Sequence, residues 1–368
     1  MSIKIAGSTK GTIEEAVQDL KTQLGGLETR MLLFFASSSH APEAISAQMQ
    51  EAFAGATVFG CSTAGEIISG RMLKDSVVAM AFDGMSIKDV KVEVVERLKE
   101  GVCVEGAFSS FEKHFGEPVS VMDHDKYVGI ILVDGLSGSE EKLIDKVGDL
   151  TNVTFIGGSA GDDLKFEATH VYADGRSYSD AALLVLLKPG TRFTFIKTQS
   201  FRDLGKRLAV SKANEETREV IEFNGKPAAD AYAEALGIPV GEAPERFMHN
   251  PVGLIIEGEP YVRSPQRIKE GRMAFYCGVT EGMELSLLES TDIVADTAQA
   301  LAKAKAELGG ISGVINFNCI LRTLELNQKK LTEQYGALFA DVPTIGFSTY
   351  GEQYIGHINQ TATMLVFK

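Results

Sequence analysis

Apolar and polar positions follow one another along the chain in a unit of buried strand, amphipathic helix, buried strand and polar loop. The run MLLFFAS at 31–37 is apolar almost throughout and predicts a buried strand, and positions 42–53 carry apolar residues at helical spacing. A short second strand at 57–59 leads into the loop Gly60–Glu66, GCSTAGE. Units of this kind predict an α/β fold with helices on the outer faces of the sheets.

The unit recurs twice more along the chain. Each recurrence ends in a loop rich in glycine and serine, GGSAGDD at 157–163 and GFSTYGE at 346–352. Five of seven positions agree between the first and third loops, and this agreement favours a shared role over the ordinary turn preferences of glycine and serine. The other elements predicted for the two recurrences are strands at 126–134, 153–156, 313–317 and 344–345 and helices at 139–150 and 326–339.

The stretches between the copies are rich in β-branched and aromatic residues. Those at 76–82, 166–172 and 192–198 predict strands that extend the sheets in mixed or antiparallel fashion. Prolines interrupt the region after residue 214 and suggest a domain junction near Asn224. We therefore predict an α/β protein with α+β elements and mixed sheets, divided into domains 1–224 and 225–368.

Composition and charge exclude several classes of function. The 36 basic and 50 acidic residues give a formal net charge of −14, which repels phosphate backbones, so nucleic acid is not an expected partner. No stretch reaches the roughly 18 to 20 apolar residues of a membrane span. The N-terminus also lacks a secretory signal pattern, so we expect a cytoplasmic protein without membrane insertion. The four scattered cysteines predict neither a disulfide framework nor a structural zinc site.

The three loops are the candidate ligand-binding elements. A strand that ends in Gly-x-Ser-Thr-x-Gly offers accessible backbone N–H groups, two hydroxyls and a carboxylate, at the edge where α/β sheets place ligands. No loop has the lysine of a P-loop, and the acids Glu66, Asp162 and Glu352 would repel a phosphate. These acids suit a ligand with an amine, while the alternative is that they cap turns.

An enzymatic reading uses Cys319 or Ser62 as the nucleophile. Arg322 follows Cys319 closely and would favour its thiolate, although a lone cysteine is more often inert and buried. No histidine stands at a recognisable acid–base spacing from either residue, so we do not expect an enzyme. His357 lies soon after the third loop and is either a structural residue or a ligand to a bound group.

Several segments together resemble the FIST family, over about residues 29–368. They are GCSTAGEI, IGGSAGDD, the FNC run with Arg322, GFSTYGEQY and HINQT. Leu321 stands where many relatives carry a glycine, which leaves the size of the pocket open. The site residues that the resemblance implies, together with Ser159 from the second loop, are Gly60, Ser62, Thr63, Glu66, Cys319, Arg322, Gly346, Ser348, Thr349, Glu352, His357 and Asn359.

The resemblance implies a sensor in two FIST parts that regulates a separate partner, such as a histidine kinase or a cyclic-di-GMP enzyme. The ligand is then a small polar molecule such as an amino acid, with Arg322 on its carboxylate and Glu66 or Glu352 on its amine. The alternative is a haem-binding nitric oxide sensor, with His357, His249, His170 or Cys319 as the axial residue. A homo-oligomer is compatible with either function.

Overall fold

The computed structural model describes residues 2–368. Two compact units divide the chain: unit 1 comprises 1–198, 297–357 and 362–368, and unit 2 comprises 199–296 and 358–361. The α-helices are α1 (Ile13–Leu24), α2 (Pro42–Ala52), α3 (Glu105–Phe115), α4 (Glu140–Leu150), α5 (Ala228–Leu236), α6 (Ala243–Arg246), α7 (Ile293–Leu308), α8 (Ile320–Lys329) and α9 (Thr332–Ala337).

Most of the strands are short. In chain order they are β1 (Ile3–Ser8), β2 (Met31–Ser37), β3 (Thr57–Thr63), β4 (Glu66–Ile68), β5 (Arg71–Leu73), β6 (Val77–Phe82), β7 (Ile87–Glu96), β8 (Val128–Val133), β9 (Phe155–Ser159), β10 (Val171–Ala173), β11 (Arg176–Tyr178), β12 (Ala181–Pro189), β13 (Phe193–Gln199), β14 (Phe201–Asn214), β15 (Glu219–Phe223), β16 (Lys226–Pro227), β17 (Val252–Ile256), β18 (Glu259–Arg263), β19 (Pro265–Lys269), β20 (Arg272–Phe275), β21 (Glu284–Ser290), β22 (Gly313–Cys319), β23 (Thr344–Thr349), β24 (Glu352–Tyr354), β25 (His357–Ile358) and β26 (Thr361–Phe367).

Four mixed or antiparallel sheets result. The first has the order β1-β6-β2-β3-β10-β11, the second β25-β24-β9-β8-β12-β7 and the third β13-β26-β22-β23-β4-β5. The fourth sheet belongs to unit 2 and runs β18-β17-β21-β14-β15-β20-β19, with β16 paired to β15. The predicted fold class, an α/β protein with mixed sheets, is confirmed.

Unit 1 is built from three copies of one element order, which extends the repeat predicted from sequence. The copies run β1-α1-β2-α2-β3-β4-β5-β6, then β7-α3-β8-α4-β9-β10-β11-β12, then β13-α7-β22-α8-α9-β23-β24-β25-β26. In each copy the pair β2–β3, β8–β9 or β22–β23 is parallel, and the copy's last strand lies antiparallel beside it. Residues 199–296 of unit 2 are inserted into the third copy.

The copies are joined in a ring because each one lends its hairpin to another sheet. The hairpin of the second copy pairs through β10 with β3 of the first copy. The third copy's β24 pairs with β9 of the second copy, and the first copy's β4 pairs with β23 of the third. This exchange makes each sheet depend on residues far away in the sequence, so the three copies of unit 1 are expected to unfold together.

The core explains why the central strands are apolar on both faces. One face of each of the first three sheets contributes to a shared core that includes Phe35, Ile130 and Phe347. The other face of the first sheet packs against α1 and α2, and that of the second sheet packs against α3 and α4. Continuous apolar runs such as Met31–Ser37 follow from this double burial.

Two elements differ from the sequence prediction. The strand expected at 166–172 begins only at Val171, because the carboxylate of Asp162 accepts the backbone N–H groups of residues 166–168 and holds them in a loop. The helix expected at 326–339 begins at Ile320, directly after β22, and is broken into α8 and α9. The chain turns at Lys330, whose left-handed φ of 57° ends α8.

The compact units do not follow the division at residue 224. The chain leaves unit 1 after Thr198 and returns at Thr297, and it leaves again for the short segment 358–361. Domains 1–224 and 225–368 stay a prediction. Within residues 2–368, no helix is both long and apolar enough to cross a membrane.

Candidate functional site

The serines of the three loops occupy equivalent places and connect the copies. The backbone N–H groups of Ser62, Ser159 and Ser348 donate to the carbonyls of His170, Gly351 and Gly65, at 2.8 to 2.9 Å. The carbonyl of each serine accepts a backbone N–H from the same neighbouring copy, at 3.0 to 3.4 Å. The loops therefore contact neighbouring copies, and their first use is structural, since these backbone polar groups satisfy one another.

The glycines that open the loops are required by the parallel strand pairs. A Cβ at Gly60 would lie 1.9 Å from the carbonyl oxygen of Phe34, and one at Gly346 would lie 2.2 Å from that of Asn316. Both glycines let neighbouring backbones approach, which no other residue permits. Gly60 therefore allows two neighbouring strands to pack closely at the start of the first loop.

Thr63 and Glu66 form a buried pair at the end of the first loop. The Thr63 hydroxyl donates to the Glu66 carboxylate, which also accepts from Ser76 Oγ at 2.6 Å and from the Ser76 backbone N–H at 3.1 Å. Glu66 is 1% exposed. Burial raises the pKa of Glu66 to about 7, against the opposing effect of the hydrogen bonds from Ser76 and Thr63.

Replacing Glu66 by glutamine should flatten the dependence of stability on pH. Because its folded-state pKa is raised, Glu66 contributes stability that is fully present below its unfolded pKa and is lost as the pH rises to about 7. The loss amounts to about 3 kcal/mol, and the Glu66→Gln variant lacks this loss. Urea unfolding at several pH values measures the difference. The exposed Glu28→Gln variant is the control, and equal pH profiles for Glu66→Gln and the wild type would contradict the assignment.

The third copy repeats this pair and the second copy does not. Thr349 donates to the carboxylate of Glu352, which is fully buried. Strand register places Glu66 opposite Phe347 and Glu352 opposite Gly158, and in the second copy Val171 stands at the same place opposite Cys61. An apolar residue thus replaces the acid in one copy of three, so the carboxylates of the other two are not needed to close the ring.

Asp162 of the second loop has a capping role. Its carboxylate accepts the Tyr350 hydroxyl and the backbone N–H groups of residues 166–168. Burial opposes ionisation of Asp162, but these hydrogen bonds outweigh it and lower the pKa of the carboxyl. Of the two readings of this acid, capping is the one that its contacts fit.

Arg322 lies in a buried polar cluster at the carboxyl ends of β22 and β23. Its Nε donates to Asn318 Oδ1 and its Nη2 donates to Thr297 Oγ1, both at 3.0 Å. Thr323 Oγ1 lies 2.8 Å from Ser348 Oγ and accepts from Asn318 Nδ2 at 3.0 Å. We call these five residues the arginine cluster. Each of the five is less than 9% exposed, so the guanidinium is fixed in a place shielded from water.

Sequence reasoning missed three residues of the arginine cluster, namely Asn318, Thr297 and Thr323. A signal for Asn318 was present, because Asn316 and Asn318 interrupt the apolar strand GVINFNC at alternate positions. Asn316 Nδ2 donates to the Tyr335 hydroxyl, which donates to Asn318 Oδ1. Alternate amides in a buried strand indicate a polar network on one of its faces.

The two predicted nucleophiles are buried. Cys319 is 1% exposed and stands at the N-cap of α8. Ser62 Oγ donates to the carbonyl of Gly161 at 2.9 Å and accepts the His170 backbone N–H at 3.0 Å. Cys61 is fully buried, and burial raises the pKa of its thiol well above the ordinary value. Both hydrogen bonds of the Ser62 hydroxyl are with backbone groups.

His357 lies in a second polar cluster, with Gln353, Ser159 and Glu140. Its Nδ1 is 3.1 Å from Gln353 Nε2, which also donates to Ser159 Oγ at 3.2 Å, and Ser159 Oγ donates to Glu140 at 3.4 Å. The ring packs on Gly351, where a Cβ would lie 2.2 Å from the ring Cε1. A haem needs a deep apolar slot beside its axial residue, and these polar neighbours do not fit one.

The remaining predicted residue, Asn359, belongs to the segment 358–361 of unit 2 and is 1% exposed. Beside it, Gln360 accepts from Ser264 Oγ at 2.7 Å and donates to the carbonyl of Met248 at 2.8 Å. Over residues 2–368, no three or more His, Cys, Asp or Glu side chains group in a way that could hold a metal ion.

Two family models together match nearly the whole chain. The family model described as FIST N domain matches residues 30–226, and the FIST C domain model matches residues 228–355. Uncharacterized protein MJ1623 of Methanocaldococcus jannaschii is 25% identical over 261 residues, which are 64% of this chain and 49% of that protein. The chain thus spans about half the length of the curated relative it matches.

Proposed function

We propose a sensory function for this chain because it belongs to the FIST family, whose domains are sensory domains that bind ligands in signal transduction. The proposal is that the protein binds a small carboxylate-bearing ligand, such as an amino acid, at the arginine cluster. It passes the bound state on to a separate signalling protein, such as a histidine kinase or a cyclic-di-GMP enzyme.

The observation that supports this proposal most is the fixed guanidinium of Arg322. Two side-chain oxygens orient it, and Thr323 and Ser348 place two hydroxyls in the same cluster. A desolvated, pre-oriented guanidinium binds a carboxylate with two parallel hydrogen bonds and loses little entropy in doing so. The cluster also stands at the carboxyl ends of parallel strands, where open α/β sheets bind ligands.

The position of Thr297 supports a route for the signal. Thr297 accepts from Arg322 and is the first residue of unit 1 after the inserted segment 199–296. A ligand that recruits the guanidinium changes its bond with Thr297, and this change occurs where the chain passes from one unit to the other. Ligand binding at Arg322 is then linked in free energy to the conformation of the chain around Thr297.

For Glu66 or Glu352 to bind the ligand's amine, the ligand would have to break the hydrogen bond between that carboxylate and its threonine. Glu66 and Glu352 are each at most 1% exposed, and both carboxylates accept a threonine hydroxyl. We therefore assign the carboxylate of the ligand to Arg322 and leave the amine to the hydroxyls of Thr323 and Ser348. Binding of haem stays a prediction.

A thermal-shift panel tests the proposal. The panel contains the common amino acids, their decarboxylated amines and their amides. We expect at least one amino acid to raise the melting temperature saturably, because a ligand that binds only the folded state stabilises it. The matching amine should have no effect, because it lacks the group that Arg322 binds. Equal shifts for the amino acid and its amine would contradict the assignment of the carboxylate to Arg322.

A further inference from the structure

Ile355 at the tip of the β24–β25 hairpin combines two unfavourable features. Its side chain is 77% exposed, the highest value among the exposed large hydrophobic residues of the described chain. Its φ is 57°, in the left-handed region that β-branched residues rarely adopt. Glycine would suit the backbone and a polar residue would suit the exposure, so the fold itself gives no reason for isoleucine at this position.

Ile355 lines a groove of about 560 Å³ on the surface of unit 1. The groove is also lined by α4, the loop after it and the start of β9, with apolar contributions from Ile144, Val147 and Phe155 and polar ones from Thr151, Asn152 and Thr154. The three apolar residues belong to the core under the second sheet. The hairpin tip therefore lines an open groove that has both apolar and polar surface.

The rim of the groove is acidic. Asp145 and Asp149 line it, and Glu141 lies one helical turn before Asp145 on α4. Like charges at i and i+4 destabilise a helix. Partial burial and then the charges of Glu141 and Asp149 raise the pKa of Asp145. The helix thus tolerates a row of mutually repelling acids beside this groove.

We infer that this groove docks a basic amphipathic helix of the signalling partner, with apolar side chains against Ile355 and the groove floor and Lys or Arg side chains on Asp145 and Asp149. An amphipathic helix presents apolar residues along one stripe and charges beside it, which matches the exposed Ile355 and the acidic rim of the groove. The net charge of −14 also steers a cationic segment toward this protein. The inference rests on the proposed signalling function, because it supplies the surface through which a partner is engaged.

The test uses a fluorescent synthetic peptide of about 18 residues, about five helical turns, made of leucine and lysine at helical spacing. Two further peptides serve as probes: a scrambled one of the same composition, and one with glutamate in place of lysine. Anisotropy titration with the wild-type protein is expected to show saturable binding of the amphipathic basic peptide. The scrambled peptide should bind at least about tenfold more weakly, because it cannot fill the groove and reach the rim at once.

Two variants locate the binding. The pair Asp145→Lys and Asp149→Lys should weaken binding at least about tenfold, because it reverses the rim charge. The matched control is the pair Glu28→Lys and Glu51→Lys, which makes the same change in net charge at exposed positions outside the groove and should leave affinity within about threefold. Ile355→Gly should weaken binding about tenfold while the melting temperature does not fall, because glycine relieves the left-handed backbone.

Equal weakening by both charge pairs would overturn the inference, since it would show attraction to net charge alone. Equal binding of the ordered and scrambled peptides, or unchanged binding by Ile355→Gly, would overturn it as well. The amino-acid thermal shift is measured on the same variants. A retained shift with lost peptide binding supports the groove, whereas a missing shift in the wild type argues against the ligand proposal alone.

Discussion

Replacing Gly157 by alanine is expected to lower the free energy of unfolding by about 4 kcal/mol or more, enough to prevent folding in a marginally stable protein. A Cβ at Gly157 would lie 1.7 Å from the carbonyl oxygen of Ile131 and 2.7 Å from its carbon. The obstacle is backbone, so the parallel strands β8 and β9 would have to separate. The hairpin β24–β25 pairs with β9, and the change therefore reaches the third copy as well.

Urea unfolding followed by circular dichroism measures this effect. Gly148→Ala is the matched control, because Gly148 lies inside α4 and nothing stands within 4 Å of its Cβ position. That variant should be more stable than the wild type by about 0.5 to 1 kcal/mol, since alanine favours the helix. A Gly157→Ala protein as stable as the wild type would contradict the strand pairing described for β8 and β9.

Replacing Arg322 by lysine is expected to reduce the affinity for the amino acid by about 2 to 3 kcal/mol, or roughly 30- to 150-fold. Lysine keeps the charge but lacks the planar fork, so it cannot hold Asn318, Thr297 and a carboxylate together. Calorimetric titration with the ligand found by the thermal-shift panel measures the change.

The control for Arg322→Lys is Arg97→Lys, because Arg97 is exposed and its nearest carboxylate, that of Glu100, is 4.0 Å away. Its affinity should equal that of the wild type. Urea unfolding of Arg322→Lys shows whether the buried cluster survives the substitution. Unchanged affinity in a folded Arg322→Lys protein would remove the arginine cluster from the ligand site.

Local pattern was enough to predict the strand–helix–strand units and the loops that follow them. The run Met31–Ser37 forms a strand with the predicted ends, and the glycine that opens each loop stands where two backbones approach closely. Both features depend on neighbours in sequence or on one adjacent strand. For that reason, composition and periodicity determine them.

The exchange of hairpins and the insertion of unit 2 were not predictable from local pattern. The pairing of Val171 with Cys61 joins residues 110 positions apart, and strand register over such distances leaves no periodic trace in sequence. The loop at 162–168 also escaped prediction, because the carboxylate of Asp162 replaces a strand ladder as the acceptor of its N–H groups.

The candidate site was predicted in part. Arg322 and Ser348 do belong to one cluster, but Asn318 and Thr323, which connect them, were not among the predicted residues. Thr63 and Glu66 were predicted as ligand groups, and the structure places them in a buried pair that also involves Ser76. A pattern of polar residues in loops identifies where chemistry is concentrated, but it does not tell which side chains bond with one another.

The most direct test of ligand binding at the arginine cluster is to observe the Arg322 guanidinium while the ligand binds. Protein labelled with nitrogen-15 in arginine gives one Nε–H signal for each arginine, and the signal absent from Arg322→Lys belongs to Arg322. Its burial at 1% exposure slows exchange with water, so the signal should be visible at neutral pH. This signal should shift saturably with the amino acid, with the dissociation constant found by calorimetry. An amino acid that binds by calorimetry while the Arg322 signal stays in place would contradict ligand binding at the arginine cluster.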